Sequence, residues 1–228
     1  MNPLLTLLQI NDSVFPIGSF THSYGLETYI HERIVHNSTT AQKYAESMLR
    51  HSVFYNDAAF FHQAWTLCED KFSKVALLKL DNLVTSLKSP AEIREASRKL
   101  AIRFLKVVES FKSVKRCRIY LEAIQSGEAG GHYAIALAMY AQSQQIAYSD
   151  ALSAFYYNTL NGMVTNCAKL VPISQMDGQK MMFNLQGLIQ ELVGKQKDMD
   201  PDMLGNCCVA QDVRCMQHEK LYTRIYIS

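Results

Sequence analysis

The sequence predicts an all-α protein, a single compact bundle of roughly eight to ten helices. Helix-breaking residues are sparse, since the 228 residues include 5 prolines and 10 glycines. The long segments between them repeat apolar side chains every three or four positions, which is the period of an amphipathic helix. Alternating apolar and polar runs, the pattern of a strand, are almost absent. A chain of this length can bury a substantial core, and we treat residues 1–228 as one domain.

The first long helix is predicted to begin at residues 39–42, TTAQ, which have the pattern of a capping box. Behind them one apolar stripe runs from Tyr44 to Trp65. Residues 89–92, SPAE, form a second capping box with proline at the preferred first helical position. The helix that follows directs side chains such as Ile93 and Phe104 inward and its lysines and arginines outward.

Two further helices are predicted near 131–145 and 149–167, in a segment that is almost free of charge. Between Glu128 and Lys169 the one formal charge is Asp150. A surface helix needs a charged face, so these two should be buried on all sides, either in the core or at a subunit interface. The pattern itself does not decide between these two positions.

The C-terminal third is predicted to contain one more amphipathic helix, over 178–193. A polar connector follows near 194–206, and the chain ends in a tail over 216–228. A free tail would expose the apolar side chains of Leu221, Ile225 and Ile227 to water. We therefore expect it to dock on its own subunit or on a partner.

Composition limits the classes of partner and the cellular compartment. Charged residues make up 19% and the net charge is +2, so no field favours nucleic acid or an anionic membrane. No apolar stretch reaches the roughly 18 residues of a membrane span, and the N-terminus lacks a secretory signal pattern. The 6 cysteines form no CxxC pair. We therefore expect reduced thiols in a cytoplasmic protein.

Motifs for catalysis, nucleotide hydrolysis and metal binding are absent from the sequence. There is no GxxxxGK[ST], no HExxH and no paired-cysteine zinc spacing. No two histidines have a spacing that brings their imidazoles together on one helical turn. Cys207, Cys208 and Cys215 could hold a soft metal transiently, although adjacent cysteines seldom chelate one ion well. We expect no catalytic residues, no bound cofactor and no resident metal.

Residues 11–27, NDSVFPIGSFTHSYGLE, are too apolar for a flexible linker and too broken for a regular helix. Proline fixes a backbone angle, glycines permit turns, and aromatic residues supply rigid contact area. We hypothesise that the segment forms a surface for a partner; the alternative is a loop packed beneath the helices. The residues assigned to this surface are Phe15, Pro16, Gly18, Phe20, His22, Ser23, Tyr24, Gly25 and Glu27.

The stretch LLQINDSVFPIGSFTHSYGLETYI resembles the N-terminal signature of the UreF family of urease accessory proteins. VPISQMDGQKMM at 171–182, with MVTNCAKLVPISQ overlapping its start, and MQHEKLYTRIYIS at 216–228 are also similar to that family. The three segments occur in the family's order and span nearly the whole chain. The resemblance implies an all-α fold and a role without catalysis of its own.

The resemblance also implies the partners. Proteins of this family act with UreD, also called UreH, and with the GTPase UreG on the urease apoprotein. That complex delivers nickel as GTP is hydrolysed, so nickel is the cargo and not a cofactor of this chain. Family members are typically homodimers in the assembly.

Two groups of residues are assigned to partner binding by the resemblance. In the family the tail orders on meeting UreD and helps to recruit UreG, and Arg224 is the matching arginine; the alternative is a simple docking tail with Arg224 in solvent. A dimer face is implied around Phe155, Tyr156 and Tyr157, although Ser153 replaces an arginine found in some relatives. The assigned residues are Gln217, His218, Glu219, Tyr222, Arg224 and Tyr226 in the tail, and Tyr157, Lys169, Gln175, Asp177, Gly178 and Gln179 before it.

Two other functions stay open at this point. Arg224 could serve as an arginine finger that activates the GTPase in trans. Alternatively, buried histidines and cysteines from different helices could converge in a helical metal-dependent enzyme. The first predicts faster GTP hydrolysis by the partner, and the second predicts tightly bound stoichiometric metal.

Overall fold

The computed structural model describes residues 2–18, 22–70, 72–222 and 224–226. These residues form α-helices, short π and 3₁₀ turns and loops, and no strand occurs among them. The prediction of an all-α fold is confirmed. Within the described ranges, no helix is long and apolar enough to cross a membrane.

Most of the helices follow one another with short connections. In chain order they are α1 Pro3–Ile10, α2 Leu26–His31, α3 Ser38–Met48, α4 Asp57–Glu69, α5 Lys74–Leu87, α6 Ala91–Phe111, α7 Lys115–Ser126, α8 Tyr133–Ser143, α9 Tyr148–Leu170, α10 Gln175–Asn184, α11 Gln186–Lys195 and α12 Val209–His218.

Helix α8 is the centre of the bundle. Every residue from Ala134 to Ala141 is buried, and the helix packs mainly against α4 and α6. The missing charged face therefore places this helix in the core of its own chain. Helix α9 differs, because one side is buried through residues such as Leu152 and Leu160 while Tyr157 remains 46% exposed on the other. The expectation of burial on all sides is met by α8 in the core. Helix α9 keeps one exposed side in the single chain, and its coverage at a subunit interface, the other expected position, stays a prediction.

Both predicted capping boxes are wrong in position. The cap of α3 is Asn37, whose Oδ1 accepts the Thr40 backbone N–H at 2.9 Å while Thr40 Oγ1 accepts the Asn37 backbone N–H at 3.0 Å. Asparagine is a strong N-cap, and it lies two residues before the predicted one. Helix α6 begins at Ala91, so that its N-cap is Pro90 and not Ser89, and proline has no side-chain oxygen to accept a capping hydrogen bond.

Two segments predicted as continuous helices are divided. The stripe from Tyr44 to Trp65 contains a π-helical turn, Leu49–Val53, and then a break before α4. The segment 178–193 bends at Leu185, between α10 and α11. The bend lets both of these helices pack against α9, and buried Leu185 stays in the core.

The segment 194–206 is attached to the break that precedes α4. Helix α11 runs as far as Lys195, and buried Gln196 then donates to the Phe54 carbonyl at 3.2 Å and accepts from the Tyr156 hydroxyl at 2.8 Å. Gly205 donates to the Tyr55 carbonyl at 2.7 Å. These hydrogen bonds hold the segment against the core between the end of α11 and the start of α12.

A buried carboxylate joins α5 and α7 to the loop that precedes α8. Asp81 is fully buried and accepts from the Tyr120 hydroxyl at 2.6 Å and from the backbone N–H groups of Gly130 and Gly131 at 2.5 and 3.0 Å. The Tyr120 hydroxyl in turn accepts from the His132 backbone N–H at 2.8 Å. Burial lowers the pKa of His132 to about 4, so its ring is neutral at physiological pH. This network fixes the position at which the central helix begins.

Candidate partner-binding site

The first half of the opening stretch packs against the protein's own core. Phe15 is 8% exposed, and its ring centroid lies 5.9 Å from that of Phe104 and 6.3 Å from that of Phe111. Pro16 is exposed and Ile17 is buried. Phe15 therefore presents no free surface to a partner in this conformation. Phe20 lies outside the described residues.

The second half of the stretch 11–27 is bound to both α9 and α12. Asn166 donates from Nδ2 to the His22 carbonyl at 2.8 Å, and Gln211 donates from Nε2 to the Tyr24 carbonyl at 2.5 Å. His22 and Ser23 are both buried. Desolvation, followed by the charges of Lys99 and Arg103, lowers the pKa of His22 to about 4. The stretch thus contributes a fixed backbone and a neutral imidazole.

Gly25 allows α2 to approach α12 closely. Its φ is +79°, in the left-handed region, and it is the N-cap of α2. A Cβ at this position would lie 2.9 Å from Cys215 Sγ and 3.2 Å from the Cys215 backbone nitrogen. Gly18 also has a positive φ, +75°. The expectation that these two glycines allow turns agrees with their backbone angles.

We expect Gly25→Ala to lower the free energy of unfolding by about 2–4 kcal/mol, from backbone strain plus the clash with Cys215. Gly127→Ala is the matched control, because Gly127 has φ +81° but nothing lies within 4 Å of its would-be Cβ. That variant should lose only the strain, about 1–2 kcal/mol. Urea unfolding followed by circular dichroism measures both, and equal losses would contradict the close packing of α2 on α12.

Helices α2, α6 and α12 bring two carboxylates and one imidazole together. His218, the last residue of α12, is fully buried. Its Nε2 lies 2.8 Å from Glu27 Oε2, and its Nδ1 lies 2.7 Å from Glu92 Oε2. The second oxygen of Glu92 accepts from Arg224 Nη1 at 2.9 Å. We call Glu27, Glu92, His218 and Arg224 the acid–base cluster.

The acid–base cluster also binds the backbone of the tail. Glu27 Oε1 accepts the Ile225 backbone N–H at 2.8 Å, and Glu27 Oε2 accepts that of Tyr226 at 3.1 Å. Tyr226 is 6% exposed, and the ammonium of Lys169 lies 5.9 Å from its ring centroid. The tail therefore lies on its own subunit along residues 224–226. Ile227 lies outside the described residues.

The outer face of the tail is open. Tyr222 is fully exposed, Ile225 is 74% exposed and the Arg224 side chain is 39% exposed. Gln217 and Glu219 beside them are also exposed. An aromatic, an apolar and a guanidinium side chain on a fixed backbone are the residue types that anchor protein interfaces.

Comparison with known proteins identifies the family. The UreF family model matches residues 35–186. A protein of Haemophilus influenzae named urease accessory protein UreF is 39% identical over 229 residues, covering 100% of this chain and 97% of that relative. The chain belongs to the UreF family. Proteins of the same name from Actinobacillus pleuropneumoniae and a Bacillus species are 37% and 29% identical, and each comparison covers 100% of both chains.

The third segment assigned by its likeness to UreF proteins lies at the end of α9 and in α10. Gln175 and Gln179 are exposed, and Lys169 reaches the tail through Tyr226. Asp177 has a local role in the first turn of α10, where the Ser174 hydroxyl lowers its pKa. Gly178 is buried against Val164. Tyr157 is separate, about 18 Å from Lys169 along α9 at 1.5 Å per residue.

Sequence reasoning assigned Glu92 to a capping box and missed its part in this UreF site. An acidic residue in the first turn of a helix has a sufficient local explanation, since it favours the helix dipole. Its contacts with His218 and Arg224 span 126 and 132 residues of sequence. No local pattern indicates such contacts.

Proposed function

We propose that this chain is a non-catalytic adaptor in urease maturation. It would act in the cytoplasm, joining a UreD-type (UreH-type) protein and a UreG-type GTPase on the urease apoprotein. The assembly would insert nickel as GTP is hydrolysed, with nickel as cargo. Membership of the UreF family and the names of the full-length relatives support the urease role.

The observation that carries the adaptor role is the state of the tail. The acid–base cluster holds Arg224 through its guanidinium and Ile225 through its backbone N–H, and yet both side chains, like that of Tyr222, keep exposed surface. The resemblance implies that the tail orders on meeting UreD, whereas in this single chain it already lies against the acid–base cluster. A surface that is ordered beforehand loses less conformational entropy on binding than a free tail does. The opening stretch contributes to this surface through Glu27, which accepts the backbone N–H groups of Ile225 and Tyr226.

We also propose that α9 and α10 form a homodimer face. Of the three residues around which this face was expected, Phe155 and Tyr156 are buried in the core of their own chain, whereas Tyr157 is 46% exposed. Met176 and Phe183 on the neighbouring α10 are 67% and 73% exposed. Large apolar side chains in such positions commonly mark an interface. Because Ser153 is present in place of an arginine, this face would depend on apolar contacts.

The two alternative functions receive less support. An arginine finger must reach into the partner's nucleotide site, whereas Arg224 is paired with Glu92. For the enzyme alternative, the described ranges contain no group of three or more His, Cys, Asp or Glu side chains that could hold a metal ion. Cys207 donates to Asp212, which raises the pKa of its thiol to about 11 and disfavours the thiolate that binds metals.

The test is co-purification with UreD-type and UreG-type partners, with and without GTP. We expect a complex that contains this chain and both partners, because the adaptor bridges them. Capture of neither partner, together with turnover of a small molecule by this chain alone, would contradict the proposal.

A further inference from the structure

The carboxylate of Glu92 contacts two parts of the C-terminal region at once. Its Oε2 faces the buried His218 at the end of α12, and its Oε1 accepts from Arg224 in the tail. We infer that Glu92 is a positioning residue for the tail, which it fixes by holding His218 and Arg224 together. The inference rests on the proposed function only for its consequence in partner recruitment.

The first step concerns the charge on His218. Both of its ring nitrogens lie within 2.8 Å of a carboxylate oxygen. A neutral imidazole carries one N–H and can donate only one of these bonds, whereas the imidazolium donates both. If the ring is charged, the two negative charges of Glu27 and Glu92 are matched by the two positive charges of His218 and Arg224. Such charge-assisted bonds are the strong ones in proteins.

The second step links this balance to the tail. Glu27 accepts two backbone N–H groups of the tail, and it also shares His218 with Glu92. Removing the charge of Glu92 leaves Arg224 without this partner and weakens the hold on the ring that orients Glu27. The tail then loses its contact at Arg224 and part of its contact at Ile225 and Tyr226.

The third step concerns the surface that this arrangement creates. An open groove of about 460 Å³ lies beside the acid–base cluster. One wall comes from α6, with Glu92, Glu95 and Lys99, and the other from Glu219 and Arg224. Opening of the tail would therefore remove the wall that Glu219 and Arg224 supply. By holding the tail against α6, Glu92 would present a partner with this groove in place of a free tail.

Limited trypsin digestion of the isolated full-length protein tests the positioning directly. We expect Glu92→Gln to raise the rate of cleavage after Lys220 at least tenfold, because cleavage follows the population of the open tail. Glu122→Gln is the matched control, since Glu122 is an exposed glutamate on α7 that does not line the groove. It should cleave at the wild-type rate. In Arg224→Ala, adding Glu92→Gln should have a smaller effect than in the wild type, since part of its action passes through Arg224.

A second variant separates positioning from stability of the helix. Glu92→Asp keeps a negative charge in the first turn of α6 but shortens the side chain, so it should also open the tail while circular dichroism remains that of the wild type. An unchanged cleavage rate in both Glu92 variants overturns the inference. Equal acceleration in the Glu122 control overturns it as well, because the loss of any exposed negative charge would then explain the result.

Recruitment of the GTPase distinguishes this inference from the proposed function. We expect Glu92→Gln to reduce capture of a UreG-type GTPase in the presence of a UreD-type protein. If cleavage accelerates but capture stays at the wild-type level, the positioning role stands and the proposed role of the tail in recruitment is wrong.

Discussion

Asp81→Ala is expected to lower the free energy of unfolding by about 3–5 kcal/mol, because it leaves buried donors without an acceptor. The Tyr120 hydroxyl and the N–H groups of Gly130 and Gly131 all donate to this carboxylate. A loss of this size would remove a large share of the stability of a typical domain. Urea unfolding followed by circular dichroism measures it.

Asn82→Ala is the matched control for Asp81, since Asn82 is the next residue on α5 and is exposed. That variant should stay within about 0.5 kcal/mol of the wild type. A loss of less than about 1 kcal/mol in Asp81→Ala would mean that the buried network does not hold the loop before α8.

Arg224→Ala is expected to abolish detectable capture of a UreG-type GTPase, at least a tenfold loss, while the thermal midpoint stays within about 2 °C of the wild type. Arg224 is one of three exposed side chains at the centre of the proposed surface, and its ion pair with Glu92 is partly solvated. Arg224→Lys should restore little binding, because lysine cannot form the planar bidentate contact of a guanidinium.

Lys79→Ala controls for the loss of one exposed positive charge, since Lys79 lies on α5, outside the acid–base cluster. It should bind the GTPase as the wild type does. If Arg224→Ala captured the GTPase in a pull-down as well as the wild type does, the tail would not be part of the recruitment surface.

The sequence was sufficient for the fold class because apolar periodicity reports burial directly. The charge-poor segment correctly indicated a helix surrounded by protein, and α8 fills that position. The divisions at 54–56 and at Leu185 were not predictable, since in both places the apolar stripe continues while the backbone turns. The positions of these bends depend on contacts with other helices, such as the packing of α10 and α11 on α9.

The candidate site was predictable in part. Glu27 was assigned from the pattern of residues 11–27, and His218 and Arg224 through the likeness to the family; the structure brings these three side chains into one cluster. The pattern of residues 11–27 did not distinguish a surface from a packed loop, and Phe15 turned out to pack on Phe104. Aromatic residues serve both purposes, so composition alone could not assign it. Glu92 and Asp81 were missed because their contacts lie far away in sequence.

The mass of the complex that forms with both partners tests the adaptor role most directly. Light scattering after size-exclusion chromatography, on mixtures of this chain with a UreD-type protein and a UreG-type GTPase, gives that mass. We expect one species that contains all three proteins and that fails to form when this chain is left out. A single peak for this chain alone, unchanged by either partner and by GTP, would contradict the account.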